Sequence, residues 1–194
     1  MKVALTGGIA CGKSLLSKFL DELGVETIDA DDVVHEIIPD PEERRRIAAE
    51  VFADPEKRRV LEAKIHPVVK EKIDEWLGQP AGSDPMVAAP NFQLSTFNFQ
   101  LRIAVIPLLF EAHWEKNFDI ICCVASTREN QVKRMVATRG MTRAEAEARL
   151  AAQLPVEEKS KSPHYVIHNN GTADELRAEA QKLVAWLKTS TLQL

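Results

Sequence analysis

Short apolar runs and helical patterns alternate along most of this chain. Residues 2–6, 25–28, 103–107 and 120–125 are brief, nearly continuous apolar runs, and residues 165–167 form a weaker one. Runs of this kind are typical of parallel strands that are covered on both faces. Amphipathic helical patterns lie between them, so the sequence predicts an α/β fold with a doubly wound parallel sheet.

The N-terminal pattern is a strand, a glycine loop, a helix and a second strand. Residues 13–23 place apolar side chains on one helical face, and Gly24 follows as a signal for the helix end. A further helix is expected to run through Val33 and Ile37 and to stop near Pro39. These elements predict a βαβ unit at the start of the chain.

The middle of the chain has a different character. Residues 41–77 carry a strongly charged helical pattern, which predicts a helical insert with breaks at Asp54-Pro55 and His66-Pro67. Residues 78–90 are rich in proline, glycine and small side chains, which predicts a flexible connection. Residues 91–101 alternate with a period of two that slips once, which predicts a hairpin or a bulged strand.

Capping boxes predict the starts of helices in the second half of the chain. In such a box, a hydroxyl residue is followed three positions later by glutamate. The pairs are Ser126 with Glu129, Thr142 with Glu145, and Thr172 with Glu175.

Composition and charge exclude several classes of protein. Of 194 residues, 25 are Lys or Arg and 29 are Asp or Glu, so the net charge of −4 argues against nucleic acid as a partner. The apolar runs are much shorter than the roughly 20 residues that cross a membrane. Glycines interrupt the N-terminus before a secretory signal could form. The 3 cysteines have no CxxC spacing, so we expect a reduced, cytoplasmic protein without a disulfide or zinc framework.

Residues 7–14 read GGIACGKS and match G-x-x-x-x-G-K-[ST], between a predicted strand and a predicted helix. Glycines let the backbone fold around phosphates, so that N–H groups and the positive end of the helix face the anion. Lys13 is then expected to reach the β- and γ-phosphates, and the Ser14 hydroxyl to ligate Mg²⁺. The alternative is a glycine turn with an incidental lysine. Cys11 is interpreted as a tolerated small residue, with redox sensing as the alternative.

An acidic turn follows the second predicted strand. Asp29, Asp31 and Asp32 lie at the edge where open α/β sheets bind their ligands, and a carboxylate at this edge can act as a base. The alternative role of Asp31 or Asp32 is to cap the helix that follows, and the two roles are compatible.

A series of strings along the chain carries a more specific signal. In order they are TGGIACGKS, IDADDVVHEII, KIHPVV, PLLFEAH, QVKRMVATRGMT, AAQLPVEEKS and VIHNNGT. Together they resemble the dephospho-coenzyme A kinase family. The resemblance implies a three-layer P-loop NTPase fold and transfer of the ATP γ-phosphate to the ribose 3′-hydroxyl of dephospho-CoA, with Mg²⁺ accompanying ATP.

The resemblance also implies an organisation for the single domain and roles for its residues. The core is expected at 1–35, 101–132 and 163–190, with a helical substrate subdomain at 36–77, a linker or insertion at 78–100 and a lid at 134–160. Asp31 matches the catalytic base, Lys13 and Arg139 are the expected catalytic cations, and Thr6, Asp31, Arg44 and His66 are expected to bind the substrate. The ATP-binding residues are expected to be Gly7, Gly8, Ala10, Cys11, Gly12, Lys13, Ser14, Leu15 and Asn169.

The chain departs from the family pattern in four respects. The stretch ahead of Arg44 is shortened, and residues 78–100 contain an insertion. Pro163-His164 replaces an Ala-Asp pair, and Leu15 stands where threonine is common. Arg139 is displaced by one position, which leaves Arg134 as an alternative lid cation.

Other functions and assemblies stay open at the level of the sequence. The alternatives are another small-molecule or nucleoside monophosphate kinase, a nucleotide-dependent switch or ATPase, and an inactive nucleotide-binding relative. The chain is expected to be a monomer or a weak homo-oligomer, because the alternation at 91–101 fits a subunit contact as well as an internal hairpin.

Overall fold

The computed structural model describes residues 1–79 and 101–191, which contain a five-stranded parallel sheet in the order β2-β3-β1-β4-β5. The strands are β1 (Val3–Gly7), β2 (Glu26–Asp29), β3 (Arg102–Val105), β4 (Ile120–Ala125) and β5 (Tyr165–His168). The helices are α1 (Lys13–Glu22), α2 (Ala30–Ile37), α3 (Pro41–Ala53), α4 (Pro55–Gly78), α5 (Arg128–Arg139), α6 (Arg143–Ala151), α7 (Val156–Lys159) and α8 (Ala173–Thr191).

Helices cover both faces of the sheet because successive residues of its central strand point to opposite sides. Val3 and Leu5 of β1 join the core that contains α1 and α8, whereas Ala4 joins the core that contains α2 and α4. All three residues are fully buried. The predicted three-layer fold with a parallel sheet is therefore confirmed.

The predicted βαβ unit is corrected in one respect, since β1 and β2 are not neighbours. β3 lies between them, with Leu5 of β1 opposite Val105 of β3 and Asp29 of β2 opposite the same residue on the other side. All four residues of β3 are buried, whereas those of β2 are half-buried. The more apolar strand therefore occupies the interior of the sheet and β2 forms its edge.

The predicted helix break at Asp54-Pro55 is confirmed, but the one at His66-Pro67 is wrong. Pro67 lies inside α4, which runs without interruption to Gly78. The proline ring fixes a φ that a helix accepts and removes one backbone hydrogen bond. Ile65 before it and Val69 and Ile73 after it pack in the same core, and this shared burial holds the two halves of the helix in line. The predictions for residues 80–100, including most of the flexible connection and of the alternating segment at 91–101, lie outside the described residues.

Two of the three predicted capping boxes are confirmed. Thr142 and Glu145 cap α6 reciprocally, and the Thr172 N–H donates to Glu175 while the Glu175 N–H donates back to Thr172. The box at Ser126 is wrong. Thr127 caps α5, because the Ser126 hydroxyl is buried and donates instead to the Asn169 carbonyl at 2.8 Å.

Candidate active site

A loop of residues 7–12 joins the carboxyl end of β1 to the first turn of α1. Two positions in it require glycine. A Cβ on Gly7 would stand 2.3 Å from the Val124 carbonyl oxygen of β4, and Gly12 has a φ of +97° with its Cβ position 2.2 Å from Asn169 Nδ2. The loop therefore packs against β4 and Asn169 more closely than any side chain would allow.

The carbonyl groups of this loop accept hydrogen bonds from side chains that lie outside it. Lys13 Nζ donates to the Gly7 and Gly8 carbonyls at 2.8 and 3.0 Å. The next carbonyls accept hydrogen bonds from side chains of α5 and of the segment after β5. Gln131 Nε2 donates to Ile9 O at 2.7 Å, Arg134 Nη1 to Ala10 O at 3.2 Å, and Asn169 Nδ2 to Cys11 O at 2.8 Å. With these carbonyls engaged, the N–H groups in the first turn of α1, which has no side-chain cap, face the position of a bound anion.

Lys13 is the half-buried cation at the centre of the loop. Burial lowers the pKa of its ammonium group, and the nearby positive charge of Lys159 lowers it further, whereas the carboxylates of Asp31 and Asp29 raise it. Lys159 and both acidic residues therefore influence the charge state of Lys13. A desolvated ammonium group gains stability when an anionic phosphate binds beside it.

The acidic turn follows β2 at the same edge of the sheet. Asp29 is the cap of α2, since its carboxylate accepts the Asp31 N–H at 2.9 Å. Burial raises the pKa of Asp29, while the hydrogen bond from Asp31 lowers it. Asp31 is exposed in the first turn of α2. The capping role thus belongs to Asp29, and the Asp31 carboxylate is accessible to a bound molecule.

A buried cluster joins the end of β1 to the last helix of the predicted lid. Lys159, which is 0% exposed, donates to Pro107 O at 3.0 Å and pairs with Glu111 Oε1 at 2.7 Å. The Thr6 hydroxyl donates to the same Pro107 carbonyl at 3.5 Å. Glu111 Oε1 also accepts the Leu154 N–H at 3.1 Å, and Oε2 is buried without a hydrogen-bond partner among the described residues.

The predicted lid cations lie in different surroundings. Arg134 is half-buried and its guanidinium group donates to Ala10 O and, at 2.9 Å, to Asn169 O, so it supports the loop from behind. Arg139 is exposed at the end of α5, about 7.5 Å further along the helix axis. Of the two, Arg139 is the one with an exposed side chain.

The remaining predicted ATP residues divide into a buried and an exposed set. Cys11 and Asn169 are buried, and burial raises the pKa of the Cys11 thiol, which disfavours the reactive thiolate. Asn169 sits behind the loop, where it fixes the Cys11 carbonyl. Ser14 and Leu15 are exposed in the first turn of α1.

A family comparison decides between the kinds of phosphate-binding protein. The model of the family described as dephospho-CoA kinase matches residues 1–43 and 41–175 of the chain. The chain belongs to the dephospho-CoA kinase family. A dephospho-CoA kinase of Synechococcus sp. (strain JA-3-3Ab) is 35% identical to it over 206 aligned positions, covering 93% of this chain and 90% of the relative.

Solved structures similar to this chain include other proteins of the same fold. A Thermus thermophilus protein has a TM-score of 0.72 and 30% identity, with 96% of this chain and 97% of that one covered. A dephospho-CoA kinase from Campylobacter jejuni has a TM-score of 0.66 and 24% identity, with 98% and 100% covered, and supports the fold. In the part of the chain that the structure describes, no helix is long and apolar enough to cross a membrane.

Two residues that the dephospho-CoA kinase resemblance assigns to the substrate make contacts within the chain. Arg44 donates to the Ile38 and Pro39 carbonyls at 2.6 and 2.8 Å, at the end of α2. The His66 ring lies edge-on to Trp114 with the ring centroids 5.3 Å apart. Their substrate contacts stay predictions.

Sequence reasoning missed three side chains that shape the site. Gln131 and Gln153 both contact the backbone of Ile9, and Glu111 anchors Lys159. Glu111 lies within the PLLFEAH string and Gln153 within AAQLPVEEKS, so the family motifs mark their positions but not their partners.

Proposed function

We propose that this chain transfers the γ-phosphoryl group of ATP to the ribose 3′-hydroxyl of dephospho-CoA, giving coenzyme A and ADP as the final step of coenzyme A synthesis. The observation that carries the proposal is the phosphate loop with its half-buried Lys13, together with an accessible Asp31 carboxylate whose charge raises the Lys13 pKa, in a chain of the dephospho-CoA kinase family.

The loop side of the site suits the triphosphate of ATP. Lys13 and the backbone N–H groups at the start of α1 would hold the β- and γ-phosphates. The Ser14 hydroxyl stands at the start of the same helix and would ligate Mg²⁺, which offsets phosphate charge when it accompanies ATP. Within residues 1–79 and 101–191, no group of three His, Cys, Asp or Glu side chains could hold a metal ion, so we assign the metal to the nucleotide rather than to a protein cage.

The acidic turn suits the acceptor hydroxyl. Asp31 would accept the proton of the 3′-hydroxyl while the oxygen forms a bond to the γ-phosphorus. The bond between the γ-phosphorus and the oxygen it shares with the β-phosphate breaks, and its electron pair leaves with ADP. Most of the rate enhancement in phosphoryl transfer comes from such positioning and from charge stabilisation.

The lid would supply further positive charge and exclude water. We assign the contact with the transferring phosphoryl group to Arg139, because it is exposed where Arg134 is engaged with the loop. Thr6, Arg44 and His66 are assigned to the dephospho-CoA side, and the other loop residues with Leu15 and Asn169 to ATP. We place the reaction in the cytoplasm, where the free cysteines Cys11, Cys122 and Cys123 would stay reduced.

An acceptor panel tests the function. ADP release with Mg-ATP is measured alone and with dephospho-CoA, AMP, adenosine or CMP, and the phosphorylated product is identified by mass. We expect release that depends on dephospho-CoA and yields coenzyme A. Release with another acceptor or with none would assign the chain to a different kinase or to an ATPase, and no release would make it an inactive binding protein.

A further inference from the structure

A single residue of the phosphate loop, Ile9, is contacted from two sides, by a side chain of α5 and by a side chain of the lid segment. Gln131 Nε2 of α5 donates to the Ile9 carbonyl at 2.7 Å. The Ile9 N–H donates to Gln153 Oε1, just beyond α6, at 3.1 Å. Gln131 is buried and Gln153 is half-buried. The two amides therefore fix Ile9 through both of its backbone polar groups.

Ile9 precedes the most strained residue of the loop. Ala10 has a φ of +57°, in the left-handed region that a residue with a Cβ rarely occupies. Such a conformation persists only where the surrounding contacts determine it. The hydrogen bonds to Ile9 on one side and from Arg134 to Ala10 O on the other supply those contacts.

Gln153 is itself held in place by the buried cluster described above. The N–H of the next residue, Leu154, donates to Glu111 Oε1, and that oxygen is paired with Lys159 of α7. Lys159 also binds the Pro107 carbonyl that accepts the Thr6 hydroxyl. Gln153 is thus the link between this anchored stretch of the lid and the phosphate loop.

We infer that Gln153 is a positioning residue that holds the lid in register with the phosphate loop through the Ile9 N–H. The inference rests on the proposed function. A lid held in this position excludes water from the γ-phosphate, so the phosphoryl group passes to the 3′-hydroxyl. Where the link is lost, water attacks the γ-phosphorus in place of the hydroxyl, and the products are ADP and inorganic phosphate.

The test compares two variants of similar size at this position. Gln153→Met removes the acceptor, whereas Gln153→Glu keeps a carboxylate oxygen for the Ile9 N–H. Coenzyme A and inorganic phosphate are quantified in the same Mg-ATP and dephospho-CoA reaction. The control is Gln181→Met on the exposed face of α8. We expect the ratio of phosphate to coenzyme A to rise about fivefold in Gln153→Met, the effect of one hydrogen bond, and to stay within about twofold of the unmodified chain in the other two variants.

The ratio separates positioning from stability, because a loss of stability alone lowers the unfolding temperature and leaves the ratio unchanged. An unchanged ratio in Gln153→Met, or equal increases in the Met and Glu variants, would overturn the inference while leaving the proposed function in place. If the unmodified chain makes no coenzyme A, the proposed function itself fails.

Discussion

Lys159→Met removes the cation from the buried cluster that joins the predicted lid to the end of β1. Lys159 is 0% exposed at its side chain and Glu111 is 24% exposed, with Nζ and Oε1 separated by 2.7 Å. Met fills a similar volume and carries no charge. Among the described residues, the change leaves the Glu111 carboxylate with the Leu154 N–H as its one hydrogen-bond donor.

Removal of one partner from a buried ion pair costs about 3–5 kcal/mol, because the other charge stays buried without compensation. Since Glu111 is partly open to solvent and keeps one hydrogen bond, we expect the lower end, about 3 kcal/mol. That is a large share of the roughly 5–15 kcal/mol that stabilises a typical domain. It corresponds to a fall in the unfolding temperature of about 6–12 °C at this chain length.

Urea unfolding followed by tryptophan fluorescence gives the free energies. The matched control is Lys161→Met, whose pair with Glu158 is exposed and contributes about 0–1 kcal/mol. The double variant Lys159→Met/Glu111→Gln removes both charges, so it should be clearly less destabilised than the sum of the two single variants. A loss below about 1 kcal/mol for Lys159→Met, or simple additivity in the double variant, would show that the pair of Lys159 and Glu111 does not stabilise the fold.

Three further predictions concern the loop and the acidic turn. Gly12→Ala should reduce ATP-dependent activity at least tenfold, because its Cβ would meet Asn169 Nδ2 at 2.2 Å. The control is Gly140→Ala, at a position with a φ of +63° and open space around it. It should lower the free energy of unfolding by about 1 kcal/mol and leave activity unchanged in the same assay. Asp29→Asn keeps a side-chain oxygen that can cap α2. In the unmodified chain, burial raises the pKa of Asp29 above its ordinary 3.8. The stability that Asp29 contributes is therefore complete below pH 3.8 and is lost as the pH rises through the folded-state pKa. The variant's stability relative to the unmodified chain should therefore increase between pH 4 and pH 7 in urea unfolding, and a constant difference would contradict this. Lys13→Met should abolish the thermal stabilisation that Mg-ATP confers, as measured by differential scanning fluorimetry, and retention of the full shift would contradict its phosphate role.

The sequence predicted the features that depend on local signals. The phosphate loop was found because its glycines, Lys13 and Ser14 are adjacent, and the caps at Thr142 and Thr172 because their partners are three residues away. The position of β2 at the sheet edge was missed because it depends on β3, which follows the helical insert and takes the place beside β1. Local patterns carry no information on which strand fills that place.

The errors and omissions within the site also come from long-range contacts. Thr127 replaces Ser126 as the cap because the Ser126 hydroxyl donates to the Asn169 carbonyl, 43 positions further along the chain. The hydrogen bonds of Ile9 with Gln131 and Gln153 span 122 and 144 positions, so no spacing in the sequence indicates them. The fold and the reaction class can be predicted from local motifs, whereas the hydrogen bonds that hold the phosphate loop depend on how distant segments pack.

The reaction and its base are tested together by comparing the unmodified chain with Asp31→Asn in the dephospho-CoA-dependent ADP-release assay. We expect the unmodified chain to form coenzyme A. We expect turnover lower by about two orders of magnitude or more in Asp31→Asn, with Mg-ATP binding nearly unchanged, since Asn cannot take the hydroxyl proton. An Asp31→Asn variant with full turnover, or an unmodified chain that forms no coenzyme A, would contradict these expectations.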